Sequence, residues 1–162
     1  EQGKDTEKTT EKKTEKETET EEETEAVYVI GDIFNVGKLG VKILEVEEKK
    51  EFVSDNMFID DITTDGKFIA VTAELTNNDK EAVTFTNSLF KLIDDQDREF
   101  EAHTDAGLIT ILGDSYLFLE SCNPGMSKRG TFVFEVPADV EQYHLLVREK
   151  MFGGEKGTVK LK

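Results

Sequence analysis

The sequence has no tryptophan, one cysteine, two prolines and two histidines in 162 residues. Each shortage removes a class of protein. With Cys122 alone, an internal disulfide and a multi-cysteine metal site are both impossible. Without Trp or a second Cys, the core of an antibody-type domain is excluded. A catalytic thiolate at Cys122 would need a His or a helix N-terminus beside it, and neither His103 nor His144 lies in a recognisable motif. Ser121-Cys122-Asn123-Pro124-Gly125 reads instead as a strand end running into a turn, with the thiol as a small buried side chain. No apolar run approaches the roughly 18 residues needed to cross a bilayer as a helix. Basic residues are short too: 20 Lys and Arg stand against 36 Asp and Glu, a net charge of −16. That balance excludes a basic groove for nucleic acid, for which Lys128-Arg129 is too short, and disfavours direct adsorption to anionic lipid. No P-loop, dinucleotide fingerprint, HExxH or GxSxG occurs.

What is present divides at residue 26. Residues 1–25 hold eleven acids, five lysines and seven threonines, a net of −6 that leaves −10 for residues 26–162. The segment has no aromatic or branched aliphatic side chain. Ordering it would cost roughly 1–2 kcal/mol per residue with nothing buried in return. Its threonines count against a solvated helix. A disordered spacer is therefore expected over 1–25. A Gly-rich chain of this length averages about 25–30 Å end to end, full extension gives about 85 Å, and like charges stretch it. That reach suits a domain held away from a surface. Because the chain starts at Glu1 and not Met, an upstream segment, such as a signal peptide, is expected to have been removed.

From residue 26 onward the hydrophobic period is mainly two, which predicts one all-β domain over 26–162. The run from Phe68 to Thr76 places Ile69, Val71, Ala73 and Leu75 on one face and Thr72, Glu74 and Thr76 on the other. Asn77-Asn78-Asp79-Lys80 reads as a turn. Residues 82–87 alternate again, with Val83 and Phe85 opposed to Thr84 and Thr86. Phe90-Lys91-Leu92 is a further strand, broken by Asp94-Asp95-Gln96-Asp97 and resumed at Arg98-Glu99-Phe100-Glu101. Phe132, Phe134 and Val136 share a face before Pro137 stops the ladder. Tyr143, Leu145 and Val147, then Val159 and Leu161, supply the last inward stripes. Leu39-Val41-Ile43 changes phase to Leu44-Val46, which a bulge explains. Eight or nine strands with turn signals every 8–15 residues point to an antiparallel sandwich.

Two stretches fit this pattern poorly. Residues 51–65 form a long acidic connection in which Asp55, Asp60, Asp61 and Asp65 could offer calcium several of the six to eight oxygens it takes, though without the order or closing Glu of an EF-hand. Asp94-Asp95-Gln96-Asp97 is similarly acidic but sits where Asp is a common turn residue. Residues 106–120 are more apolar than a loop. Leu108, Ile109, Ile111, Leu112, Tyr116 and Phe118 are expected either to cover an open end or edge of the sandwich or to form a partner or homodimer patch. Paired carboxylates for glycosidic cleavage have no supporting motif. No catalytic residue or cofactor is assigned.

Several segments, taken in order, resemble the DUF4352 family. They are Tyr28-Val29-Ile30-Gly31-Asp32 with Val36-Gly37, Leu75-Thr76-Asn77-Asn78, and Phe90-Lys91-Leu92-Ile93-Asp94 with its hairpin. Asn123-Pro124-Gly125 and Phe132-Val133-Phe134-Glu135-Val136-Pro137 complete the set. The resemblance implies an immunoglobulin-like sandwich akin to the extracellular mycobacterial antigen MPT63, secreted or lipid-anchored in Gram-positive bacteria behind a low-complexity spacer. It carries no catalytic residues. Here the hairpin has Gln96-Asp97 where the family commonly has Gly.

Together these readings predict a non-enzymatic, extracytoplasmic interaction module. Its membrane link would be only an upstream lipid anchor. Its partner would be a protein, a peptide or an envelope component, and the protein itself a monomer or weak homodimer. The alternative is a calcium-dependent sensor or envelope enzyme built on the loop from Asp55 to Asp65.

Overall fold

The strongest alternation in the sequence becomes the longest pairing in a computed structural model of the chain, which describes residues 26–162. The spacer expected over 1–25 lies outside the described residues. β3 (Leu39–Phe52) and β4 (Ile62–Asn77) form a hairpin that pairs from Leu39↔Asn77 to Phe52↔Ile62. The phase change expected after Ile43 is a register shift between Ile43 and Glu45, and a second shift lies between Lys49 and Glu51. Each bulge turns the following side chains to the other face. Val41 and Ile43 point into the main core, Val46 rejoins it after the first bulge, and Phe52 faces the opposite side after the second. Because both strands continue, the acidic connection expected over 51–65 shrinks to a loop over 53–61.

β2 (Ile33–Val36) and β9 (Ser127–Val136) flank this hairpin in a four-stranded sheet of order β2-β3-β4-β9. Facing it is a five-stranded sheet of order β1-β11-β10-β6-β7. Its members are β1 (Val27–Val29), β11 (Lys156–Lys160), β10 (Tyr143–Arg148), β6 (Phe90–Asp94) and β7 (Glu99–Glu101). β5 (Val83–Thr86) and β8 (Leu119–Cys122) pair separately. The result is the expected immunoglobulin-like β-sandwich, with eleven strands where eight or nine are legible. The extra ones are three or four residues long, too short to show alternation. One pairing departs from the antiparallel rule: β1 runs parallel to β11.

The inner faces close on one another. Ile69, Val71, Ala73 and Leu75 of β4, Phe132 and Phe134 of β9, Phe90 and Leu92 of β6, and Leu145 and Val147 of β10 are all at most 1% exposed. Phe132 stacks on Phe90 across the sandwich with ring centroids 4.2 Å apart. Polar groups tie one end: the Glu48 carboxylate accepts from the Tyr143 hydroxyl at 3.0 Å and from Lys162 Nζ at 3.0 Å, and pairs with Lys67 at 3.3 Å. Burial pushes the Glu48 carboxyl up, but these bonds outweigh it and hold it below the usual glutamate range. Burial and the Glu48 charge push the Tyr143 phenol up.

The apolar stretch over 106–120 divides in two: Tyr116 and Leu117 lie along the edge of β9, where the Leu117 amide donates to the Thr131 carbonyl at 2.8 Å and Leu117 joins the main core, while the residues before them form a helix. α1 (Ala106–Leu112) is capped by Asp105, whose Oδ1 accepts from the amides of Gly107 at 2.8 Å and Leu108 at 3.2 Å. Leu108 and Tyr116 are buried with Phe52, Phe68, Ala70 and Val133 in a second cluster. Phe68, Ala70 and Val133 alternate with main-core residues on the same strands. The helix therefore lies on the outer face of the four-stranded sheet, as a third layer at one end.

Where the chain enters is fixed by hydrogen bonds and register. The amides of Gly37 and Lys38, in the β2–β3 turn, donate to Glu155 Oε2 at 3.0 Å and Glu149 Oε1 at 3.1 Å in the β10–β11 hairpin. β11 runs away from that hairpin, and β1 runs parallel to β11. The chain thus enters the sandwich at the end carrying the β10–β11 hairpin, opposite the tip of the β3–β4 hairpin.

Candidate binding site

A strand is missing from the sandwich at the end where the chain enters. β6 and β10 pair in register from Tyr143↔Asp94 to Val147↔Phe90. Continuing that register would set Glu149 against Ser88 and Met151 against Thr86. A 3-10 turn over Asn87–Leu89 prevents it. Thr86 begins the turn by accepting from the Ser88 amide at 3.3 Å. Asn87, 1% exposed, donates to the Tyr116 hydroxyl at 3.2 Å. The turn displaces β5 from the five-stranded sheet. Among the described residues β5 pairs with β8 alone, from Val83↔Cys122 to Thr86↔Leu119, and none of them forms a strand on its other edge.

A cleft of about 280 Å³ occupies the vacated position. All four residues of β5 line it. Successive side chains of a strand point to opposite faces, so a cleft reached by all four meets the strand's edge. In an antiparallel pair, alternate residues bond the partner strand, which turns the amides and carbonyls of the other two towards the cleft. Leu39 and Leu89 supply an apolar floor with Val83 and Phe85. Glu149, Lys150 and Met151 form the opposite wall. Phe152 stands beside that wall with 91% of its surface exposed.

Three of the four charged side chains lining the cleft, Lys38, Asp79 and Glu149, are already engaged; Lys150 makes no ion pair among the described residues. Lys38 Nζ pairs with Asp79 Oδ1 at 3.2 Å. The Glu149 carboxylate accepts from the amides of Lys38 and, at 3.2 Å, Glu155, and these bonds hold it below the usual glutamate range. Glycine is required at the junction. Gly37 has φ of 59°, and a Cβ there would lie 2.2 Å from Glu149 Cδ.

The residues singled out in the sequence fall elsewhere. Asp55, Asp60, Asp61 and Asp65 are not gathered around a point. Asp61 Oδ1 accepts from the Ser54 amide at 2.8 Å, and among the described residues no group of three or more His, Cys, Asp or Glu is placed to hold a metal ion. Asp94 is spent within the β6–β7 hairpin. Its Oδ1 accepts from the amides of Gln96 at 3.0 Å and Arg98 at 2.9 Å, while Oδ2 pairs with Arg98 Nε at 2.6 Å. Asp97 takes the left-handed position itself, with φ of 59°. Of the apolar patch, Leu108 and Tyr116 are buried and therefore leave any docking surface, because α1 packs them on the sheet. Ile109, Ile111 and Leu112 are half-buried against the same cluster, and Phe118 is 40% exposed. Cys122 is buried at the end of β8, as its turn context predicts. The edge of β5 escaped sequence reasoning. Alternation at Val83, Thr84, Phe85 and Thr86 marks a strand but says nothing of how many neighbours it has.

A family model described as a domain of unknown function, DUF4352, matches residues 28–157. No curated protein sequence is significantly similar to the chain. Among solved structures, the yjhA protein of Bacillus subtilis is similar over 83% of this chain and 99% of its own, with 16% identity and a TM-score of 0.66. The candidate lipoprotein ycdA of Bacillus subtilis is similar over 80% of this chain and 38% of its own, with 19% identity and a TM-score of 0.60. The secreted protein MPT63 of Mycobacterium tuberculosis is similar over 85% of this chain and 97% of its own, with 14% identity and a TM-score of 0.58.

Proposed function

The chain belongs to the DUF4352 family, whose domains have no assigned function, and we propose that it is a non-enzymatic binding module working outside the cytoplasm. Residues upstream of the domain hold it at the cell envelope, through a lipid anchor, and the cleft between β5 and the β10–β11 hairpin receives a protein, peptide or envelope component. The observation that carries this reading is the cleft itself: an apolar floor with one wall formed by the edge of a strand. Clefts with an apolar lining and a few fixed polar groups are where ligands bind. The location rests on the composition of residues 1–25 and on likeness to a secreted protein and a candidate lipoprotein.

The cleft shares an end with the point of chain entry, so the partner is met on the side facing the anchor. A spacer reaching up to about 85 Å leaves room for it there. Fractionation of cells producing the full-length protein tests the location. The protein should pellet with membranes, incorporate a fatty-acid label and be digested by protease added to intact cells. Recovery in the cytosol, unlabelled and protected, would sink the proposal.

A further inference from the structure

We propose that the cleft binds its partner by strand addition: an extended, cationic peptide segment pairs with the free edge of β5 and completes the sheet that the turn over Asn87–Leu89 interrupts. This rests on the reading of the cleft as the binding site and specifies what enters it.

Three observations lead to the inference. First, the register of β6 and β10 stops at Val147↔Phe90, yet both chains continue, as β5 on one side and Glu149, Lys150 and Met151 on the other. The space between them is the shape of an absent strand. Second, β5 offers backbone donors and acceptors along an edge that carries no strand among the described residues. An edge left open is a template for an extended chain, and natural proteins usually blunt such edges with charge, proline or a covering loop. All four residues of β5 (Val, Thr, Phe and Thr) are β-formers without charge. Main-chain bonds to such an edge give affinity, and pockets for alternate side chains give specificity. Here the floor of Leu39, Phe85 and Leu89 would take aliphatic side chains at every second residue of the ligand, leaving those between to face solvent.

Third, charge selects among extended segments. The lining is formally neutral, with Lys38 paired to Asp79, Glu149 held by backbone amides and Lys150 in no ion pair among the described residues. The longer-range field is not balanced, since residues 26–162 carry a net of −10. That field steers cations towards the protein and repels anions. The chain's own residues 1–25, at net −6, are disfavoured as the occupant, and so is a second copy at net −16. A partner segment with Lys or Arg at its solvent-facing positions is favoured.

The test uses the folded protein, labelled for NMR, with a nine-residue probe alternating Lys with Val or Ile. Two further probes carry N-methyl groups on alternate residues, one along each backbone edge. A third replaces Lys by Glu. Strand addition predicts that the parent probe shifts the amides of Val83–Thr86 and of the facing hairpin. N-methylation of one edge should weaken binding by about tenfold or more, through loss of main-chain bonds, while methylation of the other changes it little. The Glu probe should bind more weakly, with a difference that shrinks as salt is added. Binding of both methylated probes as tight as that of the parent would show the cleft recognising side chains alone, which overturns strand addition but leaves the cleft a binding site. No shift in β5 at millimolar probe, or shifts confined to another surface, overturns both. A Glu probe that binds as well as the Lys probe overturns the cationic assignment.

Discussion

Replacing Phe132 by alanine should lower the free energy of unfolding by about 3–5 kcal/mol. The side chain is fully buried on β9, stacked on Phe90 of the facing sheet at 4.2 Å and edge-on to Phe134 at 5.8 Å. Removing the ring takes away its own transfer free energy and strips both neighbours of their packing partner. The cavity lies between two sheets whose spacing is fixed by the other buried side chains of the main core, so the site has little freedom to collapse. A domain of this size is stable by about 5–15 kcal/mol in all, so the variant should unfold at markedly lower denaturant with an unchanged slope. Chemical denaturation followed by far-ultraviolet circular dichroism checks this. A loss under about 1 kcal/mol would mean that the two sheets do not meet at Phe132.

Leu108→Ala should cost about 2–5 kcal/mol. The residue is fully buried, although it sits on a seven-residue helix outside the main core. A helix so short is not stable alone. α1 persists because Leu108 anchors it to Phe52, Phe68 and Val133 on the outer sheet face. The same substitution separates two readings of the apolar stretch. If Leu108 belongs to a third layer, alanine lowers the unfolding midpoint and leaves the oligomeric state as it was. If it belongs to an association surface, alanine leaves stability in place and changes the mass seen by light scattering.

These expectations show where the sequence speaks and where it falls silent. The alternation of Ile69, Val71, Ala73 and Leu75 is legible because one face is buried and the other is not. The bulge after Ile43 is legible because a phase change has no other cheap explanation. The second bulge, after Lys49, is hidden by charged residues that read the same on either face. α1 is a short apolar run in which helical and strand periods cannot be told apart. Asp105 as N-cap and Gly113 as C-cap are its local marks, and a lone Asp in a chain this acidic and a single Gly carry little weight. Leu108 and Tyr116 look like surface patch residues only if the sheet is assumed to have one buried face. Phe68, Ala70 and Val133 give it a second one.

The cleft was not legible at all. It follows from a pairing that fails to continue past Val147↔Phe90, and the absence of a neighbour leaves no trace in the residues of β5. The acidic loop went the other way. Asp55, Asp60, Asp61 and Asp65 are close in sequence, but Asp65 lies on β4 and not in the loop, Asp61 serves the loop's own backbone, and among the described residues they form no metal-holding group.

Binding at the cleft requires the outer edge of β5 to be free. Amide hydrogen exchange of the unliganded protein, read residue by residue, tests this directly. Two alternate amides among Val83–Thr86 should be protected by β8, while the two between them exchange far faster. Equal and strong protection of all four would mean that the edge is already paired, and the slot on which the function is argued would not exist.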